Sequence, residues 1–308
     1  MISMQKPDWA LKYNYLWHSN PASRPNCRMF FDKCWVRPQV NAAWKVIKDT
    51  TQSSEKKDAA RSIIDRFADD NANMMAGRTV QTFCDQAILT EIDTATALSQ
   101  AQAAIVAYTP RVWDETDAPK HERRVDELGA VADHALNGLR EALSGINNVH
   151  GEEEVWTTLP GCELPYFGKP DYSKRVELKT QWDRRHKSAK SGWVKNSLPR
   201  KPTYSHLMQI AGYFAGTNHP QTIVYANNSG YRVFTPENCP ELHPESLQMI
   251  VNQAARLCRV RETLLRSAHT NGGDIKDLLG LISPAFDHPF AWDMKPDVKR
   301  LALEFWDV

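Results

Sequence analysis

Two acids and a lysine fall close together in one short stretch, Pro170-Asp171 followed by Glu177-Leu178-Lys179. If Ser173-Lys174-Arg175 closes a hairpin, Tyr172 pairs with Val176 and Asp171 stands opposite Glu177. Cross-strand neighbours have Cβ atoms about 4.5–5.5 Å apart, where two carboxylates repel and a cation between them relieves the repulsion. Alternation along a strand sends Glu177 and Lys179 to one face and Val176 and Leu178 to the other. Such a cluster suits a hard divalent cation, since Mg2+ takes oxygen ligands, keeps several waters and shares phosphate oxygens of a substrate. The chemistry expected is phosphodiester hydrolysis: a metal polarises the phosphate and lowers the pKa of water, and a lysine orients or deprotonates that water. The triplet acid-x-Lys alone is not distinctive, because it recurs at Glu55, Asp274, Asp293 and Asp297. Asp287 even precedes Asp293-Met294-Lys295 by the same interval, but Pro289 and Pro296 bracket that copy and it does not alternate like a strand.

Further along, Gln209 and Tyr213 lie one turn apart in a segment of helical period, with His206 on the same face. Upstream, Gly77-Arg78-Thr79-Val80-Gln81 sits in another helical stretch, followed one turn later by Asp85. From Lys169 to Lys201 basic residues outnumber acids, and Trp182 and Trp193 are interleaved with them, a texture suited to a phosphate backbone and unstacked bases. The expected nucleic-acid contacts are Lys174, Arg184, Arg185, Lys187, Lys190, Trp193, Lys195 and His206.

Gly168-Lys169-Pro170-Asp171 with Val176-Glu177-Leu178-Lys179-Thr180 resembles the active-site hairpin of the PD-(D/E)XK nuclease superfamily. Gln209-Ile-Ala-Gly-Tyr213 resembles the Q-x-x-x-Y element of its RecB-like exonuclease branch, of the kind found in phages and bacteria. The resemblance spans roughly residues 74–235. It implies a restriction-endonuclease-like core and a DNA exonuclease that leaves 5′-phosphates. It also implies Mg2+ or Mn2+ held by Asp171, Glu177 and the Leu178 carbonyl, with Lys179 serving the attacking water and Gln209 and Tyr213 positioning the strand or the site. Members of that branch carry an upstream G-x-x-x-H or G-x-x-x-E whose last residue helps bind metal. Here that position is Gln81, whose amide oxygen coordinates without adding charge, so Asp85 is the alternative. Some relatives hold an iron–sulfur cluster through a tight C-terminal cysteine group; Cys239 and Cys258 are too far apart for one, and no cluster is expected. Two other readings stand beside the exonuclease: a structure-specific endonuclease of the same superfamily, and a non-catalytic DNA-binding module on a degenerate nuclease fold.

The elements that must position these residues follow from the remaining pattern. With 308 residues and 42% hydrophobic content the chain can bury a substantial core, which argues against disorder. A formal net charge of +1 neither favours nor opposes nucleic acid. Six cysteines without a C-x-x-C pair read as reduced, mostly buried thiols, and the absence of a long apolar run argues for a cytoplasmic protein with no membrane contact. Helical spacing covers 55–89, with a break near Asn71 or Gly77, then Thr94 to Ala107 and Lys120 to Ile146. Val155 to Leu159, Leu164 to Pro170 and Arg175 to Gln181 read as an antiparallel three-stranded meander. A helix over Thr203 to Ala215, a hairpin of Thr222 to Ala226 with Tyr231 to Phe234, and a long helix starting near Pro244 complete the pattern. The fold expected is α/β: a small mixed sheet flanked by helices, plus a helical N-terminal region. The partition expected is an aromatic, proline-rich segment 1–54, a helical region 55–150 and the site-bearing core 151–308.

Overall fold

The computed structural model describes residues 6–68, 70–186, 192–285 and 293–306. The chain divides into two units, one made of Met1–Asp69, Thr158–Tyr166 and Asn252–Val308, the other of Asp70–Thr157 and Phe167–Val251. This interleaving differs from the three consecutive segments expected. Its cause is pairing between distant parts of the chain, which no local period encodes. Within the first unit Arg261 donates to Asn26 Oδ1 at 3.0 Å and to the Pro21 carbonyl at 2.9 Å, and His18 Nε2 lies 2.9 Å from Glu262.

The N-terminal stretch, expected only to be aromatic and proline-rich, forms helices α1 (Asp8–Lys12), α2 (Asn26–Phe30) and α3 (Arg37–Lys48), followed by α4 (Ser54–Phe67). A π-helical turn, Phe31–Val36, joins α2 to α3. Pro38 accounts for it: proline lacks the N–H, and its ring crowds the carbonyl four residues back, that of Cys34, so the preceding turn widens. Trp9, Tyr13, Tyr15, Phe30, Leu164 and Leu279 pack in the core of this unit.

Helices α5 (Ala72–Leu89), α6 (Thr94–Val106) and α7 (Asp117–Ala142) follow. Of the two breaks expected, the one at Asn71 forms, because Asn71 caps α5 by accepting from the Met74 amide at 2.9 Å, and Gly77 lies inside the helix. Asp93 caps α6 in the same way. Buried Asp117 ties three segments together, accepting from the Ala72 amide at 2.9 Å, the Tyr108 hydroxyl at 2.7 Å and the Arg111 amide at 3.0 Å.

Next come strands β1 (Val155–Thr157), β2 (Tyr166–Gly168), β3 (Val176–Thr180), β4 (Arg184–Arg185) and β5 (Trp193–Val194), helix α8 (Tyr204–Thr217), and strands β6 (Thr222–Asn227) and β7 (Gly230–Phe234). Helices α9 (Pro244–Thr270), α10 (Ile275–Gly280) and α11 (Pro296–Glu304) end the chain, α9 starting at the expected proline. The fold is α/β, with a small mixed sheet flanked by helices: β3 runs parallel to β6, and β6 antiparallel to β7.

The expected meander does not form. β1 and β2 make a separate two-stranded sheet, whereas β3 pairs with β6, Val176 opposite Thr222 through Thr180 opposite Ala226. Alternating side chains mark a strand and its buried face but do not choose its partner. Parallel strands need a crossover, and α8 supplies it. Val176, Leu178, Val224, Ala226 and Val233 bury one face of the sheet against residues of α5 and α7, among them Val80, Phe83, Leu128 and Val131. Gly138 allows α7 to approach closely, since a Cβ there would lie 2.7 Å from Val224 Cγ1 and 2.9 Å from Tyr231 Cδ2. On the other face His206 of α8 meets the Tyr225 hydroxyl at 2.6 Å. Among the described residues no helix is long and apolar enough to cross a membrane.

Candidate active site

Tyr172 and Val176 form the antiparallel bridge expected of the hairpin, exchanging both backbone hydrogen bonds at 3.0 Å. Ser173 and Lys174 turn the chain with φ of 48° and 59°, the left-handed pair that a tight hairpin turn requires. Neither residue is the Asn or Gly usually found there, so the turn is held by its surroundings. One restraint is visible: the Ser173 amide donates to the His150 carbonyl at 3.0 Å.

The turn brings Asp171 back alongside β3. The Arg175 carbonyl accepts from the Thr222 amide and the Gln181 amide donates to the Ala226 carbonyl, so odd-numbered peptide groups of this strand face β6. Even-numbered ones face the outer edge. There the Leu178 amide donates to Asp171 Oδ2 at 2.7 Å. By the same alternation the Leu178 carbonyl is directed to that edge, while its side chain is buried in the core.

Glu177 and Lys179 point to the face covered by α8, as strand alternation requires. Lys179 Nζ donates to Glu177 Oε1 at 2.6 Å and to Gln209 Oε1 at 3.1 Å. Gln209 Nε2 donates to Glu177 Oε1 at 2.7 Å and to the Tyr213 hydroxyl at 2.5 Å, and that hydroxyl donates to the Lys169 carbonyl at 3.2 Å. The structure thus brings Glu177, Lys179, Gln209 and Tyr213 into one hydrogen-bonded group beside Asp171.

Electrostatics sharpen the picture. Burial, with Glu177 beside it, raises the Asp171 carboxyl well above the usual carboxylate range, and Lys179 only partly offsets this. Burial works against the Lys179 ammonium too, but Glu177 outweighs it and holds the lysine above its ordinary value. Glu177 is 3% exposed, and its Oε2 is buried without a hydrogen-bond partner. An unsatisfied buried polar group costs roughly 1–3 kcal/mol, and more when charged, so this oxygen is where a cation would stabilise the site most. The donors that this turn and strand offer, the carboxylates of Asp171 and Glu177 and the edge-directed Leu178 carbonyl, are all hard oxygens, the kind that Mg2+ or Mn2+ takes.

Other expected residues lie elsewhere. The Gln81 amide nitrogen donates to Asp85 Oδ1 at 2.9 Å and to the Tyr172 hydroxyl at 3.1 Å, and that hydroxyl donates to Asp85 at 2.7 Å. Gln81 and Asp85 therefore form their own network with Tyr172, the neighbour of Asp171, and no hydrogen bond links it to Glu177 or Lys179 among the described residues. His206 shares the α8 face with Gln209, but burial and nearby Lys179 push its imidazole down to about 4, so near neutral pH it offers no positive charge to a phosphate. Lys174 Nζ lies 3.3 Å from Glu153. Arg184, Arg185 and Lys195 are exposed, and Trp193 is half-buried. Lys187 and Lys190 lie outside the described residues, as does Asp287.

Residues that the sequence did not single out join the basic stretch. Arg124 of α7 sets its guanidinium 5.5 Å from the Trp182 ring centroid and 5.6 Å from that of Trp193. Its charge was legible, but not its position, because it comes from a helix more than fifty residues upstream of Trp182.

In the first unit His18, Cys162 and Glu262 bring their ligand atoms within 4.8 Å of one another. These groups already have partners: His18 Nδ1 with the Tyr15 hydroxyl at 3.1 Å, and Glu262 with the amides of Glu163 and Leu164, besides His18 and Arg266. They brace the core of that unit. All six cysteines are free thiols, five of them buried.

No family model, no curated protein and no solved structure matches this chain.

Proposed function

We propose that the chain is a divalent-metal-dependent nuclease, a cytoplasmic enzyme that hydrolyses DNA from an end and leaves 5′-phosphates, on a restriction-endonuclease-like core. The observation that carries this reading is the buried, partnerless Glu177 Oε2 beside Asp171, with Lys179 and Gln209 bound to the other oxygen of the same carboxylate. Asp171, Glu177 and the Leu178 carbonyl would hold Mg2+ or Mn2+. When bound, the ion supplies charge to polarise the scissile phosphate and to lower the pKa of the attacking water. Lys179, kept protonated by Glu177, stabilises negative charge developing on the phosphate and orients the water. Gln209 fixes the Glu177 carboxylate and the Lys179 ammonium relative to each other, and Tyr213 fixes Gln209. Arg184, Arg185 and Lys195 supply exposed positive charge for the backbone.

Time-resolved digestion of 5′- and 3′-labelled linear DNA and of covalently closed circular DNA, with and without Mg2+, tests this. Mg2+-dependent release from an end of linear DNA, absent in Lys179→Ala while DNA binding persists, is the expected result. Cleavage of closed circles would replace the exonuclease by an endonuclease of the same site. A second reading, a DNA-binding module without activity, draws on one observation: at the position where a charged metal ligand is expected stands Gln81, engaged with Asp85 and Tyr172. Full turnover by Lys179→Ala would remove the catalytic assignment altogether.

A further inference from the structure

A cleft of about 560 Å3 opens beyond the carboxyl end of β3. Thr180 and Gln181, which follow Lys179 directly, form part of its wall. In α/β sheets ligands gather outside the carboxyl ends of the strands, which is where this cleft lies. Two strand residues, about 7 Å of backbone, separate Lys179 from Gln181, and the cleft is lined from α5 and α7 rather than from α8.

The lining has three chemical characters. Exposed Arg184 and Arg185 make it cationic, while Lys120 lies 3.8 Å from Asp114 and Arg124 is paired with Glu127. Among the described residues of the wall the acid is Asp183, neutralised from within: Arg123 donates to its Oδ2 at 2.5 Å and Asn228 to its Oδ1 at 3.1 Å. Trp193 and exposed Met74 add apolar walls. Gln181 Oε1 is a buried acceptor with no donor. Arg124, 2% exposed, is fixed on three sides, by Asn73 Oδ1 at 2.8 Å, Glu127 Oε2 at 2.9 Å and the Asp183 carbonyl at 2.7 Å, so the cleft is shaped before anything enters it.

A ligand complementary to all three carries an anionic backbone, a flat apolar ring and an N–H donor. That description is a nucleotide. The volume falls within the roughly 300–1,000 Å3 of small-molecule pockets, which admits one nucleotide but not a stacked duplex. We propose that this cleft takes one unstacked nucleotide of a single-stranded segment, its base against Trp193 and Met74 and its phosphate at Arg184 and Arg185. Its role beside the acid site rests on the nuclease reading; its preference for a base does not.

Fluorescence anisotropy in EDTA, with no metal and hence no cleavage, separates the two. The probes are 5′-fluorescein-labelled oligothymidylate of twelve residues, which offers the thymine N3–H donor, and a twelve-residue abasic oligomer of the same charge. Wild-type protein is expected to bind the thymidylate about tenfold more tightly, the size of one base–aromatic contact. Trp193→Ala and Met74→Asp should each reduce that preference to less than threefold, and Lys179→Ala should keep it. Met74 is exposed, so its substitution tests the cleft even if Trp193→Ala does not fold. Equal affinity of the wild type for the two oligomers, or a preference that survives in folded Met74→Asp, overturns the proposal. Base preference without any Mg2+-dependent cleavage would sink the nuclease reading and leave this one standing. Cleavage without base preference would do the reverse.

Discussion

Gln209 Nε2 lies 2.7 Å from Glu177 Oε1, and Gln209 Oε1 lies 3.1 Å from Lys179 Nζ, so a single amide from helix α8 holds an acid and a base of strand β3 at once. Both ends of the amide are used, and the group has no other way to satisfy both partners.

Gln209 is a positioning residue on this view, and its loss should blunt activity rather than binding. Gln209→Leu is expected to lower Mg2+-dependent cleavage about 10- to 100-fold and to raise the Mg2+ concentration needed for half-maximal rate. A Mg2+ titration of the cleavage rate, alongside DNA affinity in EDTA, checks this. A variant with a normal Mg2+ requirement would show that the amide does not organise Glu177.

Asp171 sits under an electrostatic load, since burial and Glu177 together raise its carboxyl well above the usual range. Asp171→Asn keeps an acceptor for the Leu178 amide and removes the load. Its melting temperature without metal should equal or exceed that of the wild type. Mg2+ at a hundred times its Kd should stabilise the wild type by roughly 2.7 kcal/mol and the variant hardly at all. Equal Mg2+-induced shifts in thermal unfolding would contradict the assignment of Asp171 as a ligand.

Gly138 tests the packing of α7 on the sheet. Alanine in a helix normally stabilises relative to glycine by up to ~1 kcal/mol. Here a Cβ would meet Val224 and Tyr231 at 2.7 and 2.9 Å, and such overpacking typically costs about 1–3 kcal/mol. Gly138→Ala is therefore expected to destabilise in chemical denaturation, against the helix propensity scale.

Glu127 should make stability depend on pH. Burial first, and Asp183 second, push its carboxyl up from 4.5 to about 7. Between those values the folded chain holds a proton that the unfolded chain has released. Stability is thus greatest below 4.5 as far as this group is concerned, and falls as pH rises towards 7, by at most ~1.4 kcal/mol per pH unit. Glu127→Gln should flatten unfolding free energy against pH over that window, whatever it does to the absolute value.

Much of the site was legible in the sequence because its geometry is local. Strand alternation alone places Glu177 and Lys179 on one face, and a four-residue helical step aligns Gln209 with Tyr213. The Tyr172–Val176 bridge follows from the length of the turn. What the pattern could not reveal were partners chosen at a distance. β3 alternates as a strand of an antiparallel meander would, yet it lies beside β6, more than forty residues later. Arg124 looks like any helix arginine until folding sets it beside both Trp182 and Trp193. Gln81 keeps the spacing of the upstream motif, but its amide turns to Asp85 and Tyr172, a choice made by neighbours rather than by spacing. The N-terminal helices escaped because their aromatic residues pack without a clear period.

The hydrogen bond from the Leu178 amide to Asp171 has a consequence for how molecules of this protein meet one another. β3 borders its sheet, and a bare border of amides and carbonyls invites a strand from another copy. Asp171 occupies the middle amide of that border with a carboxylate, which an incoming strand would have to displace. The same side chain that is proposed to grip an ion thus also keeps the sheet from growing, so replacing it with a residue that cannot accept a hydrogen bond should leave the protein prone to aggregate as well as inactive.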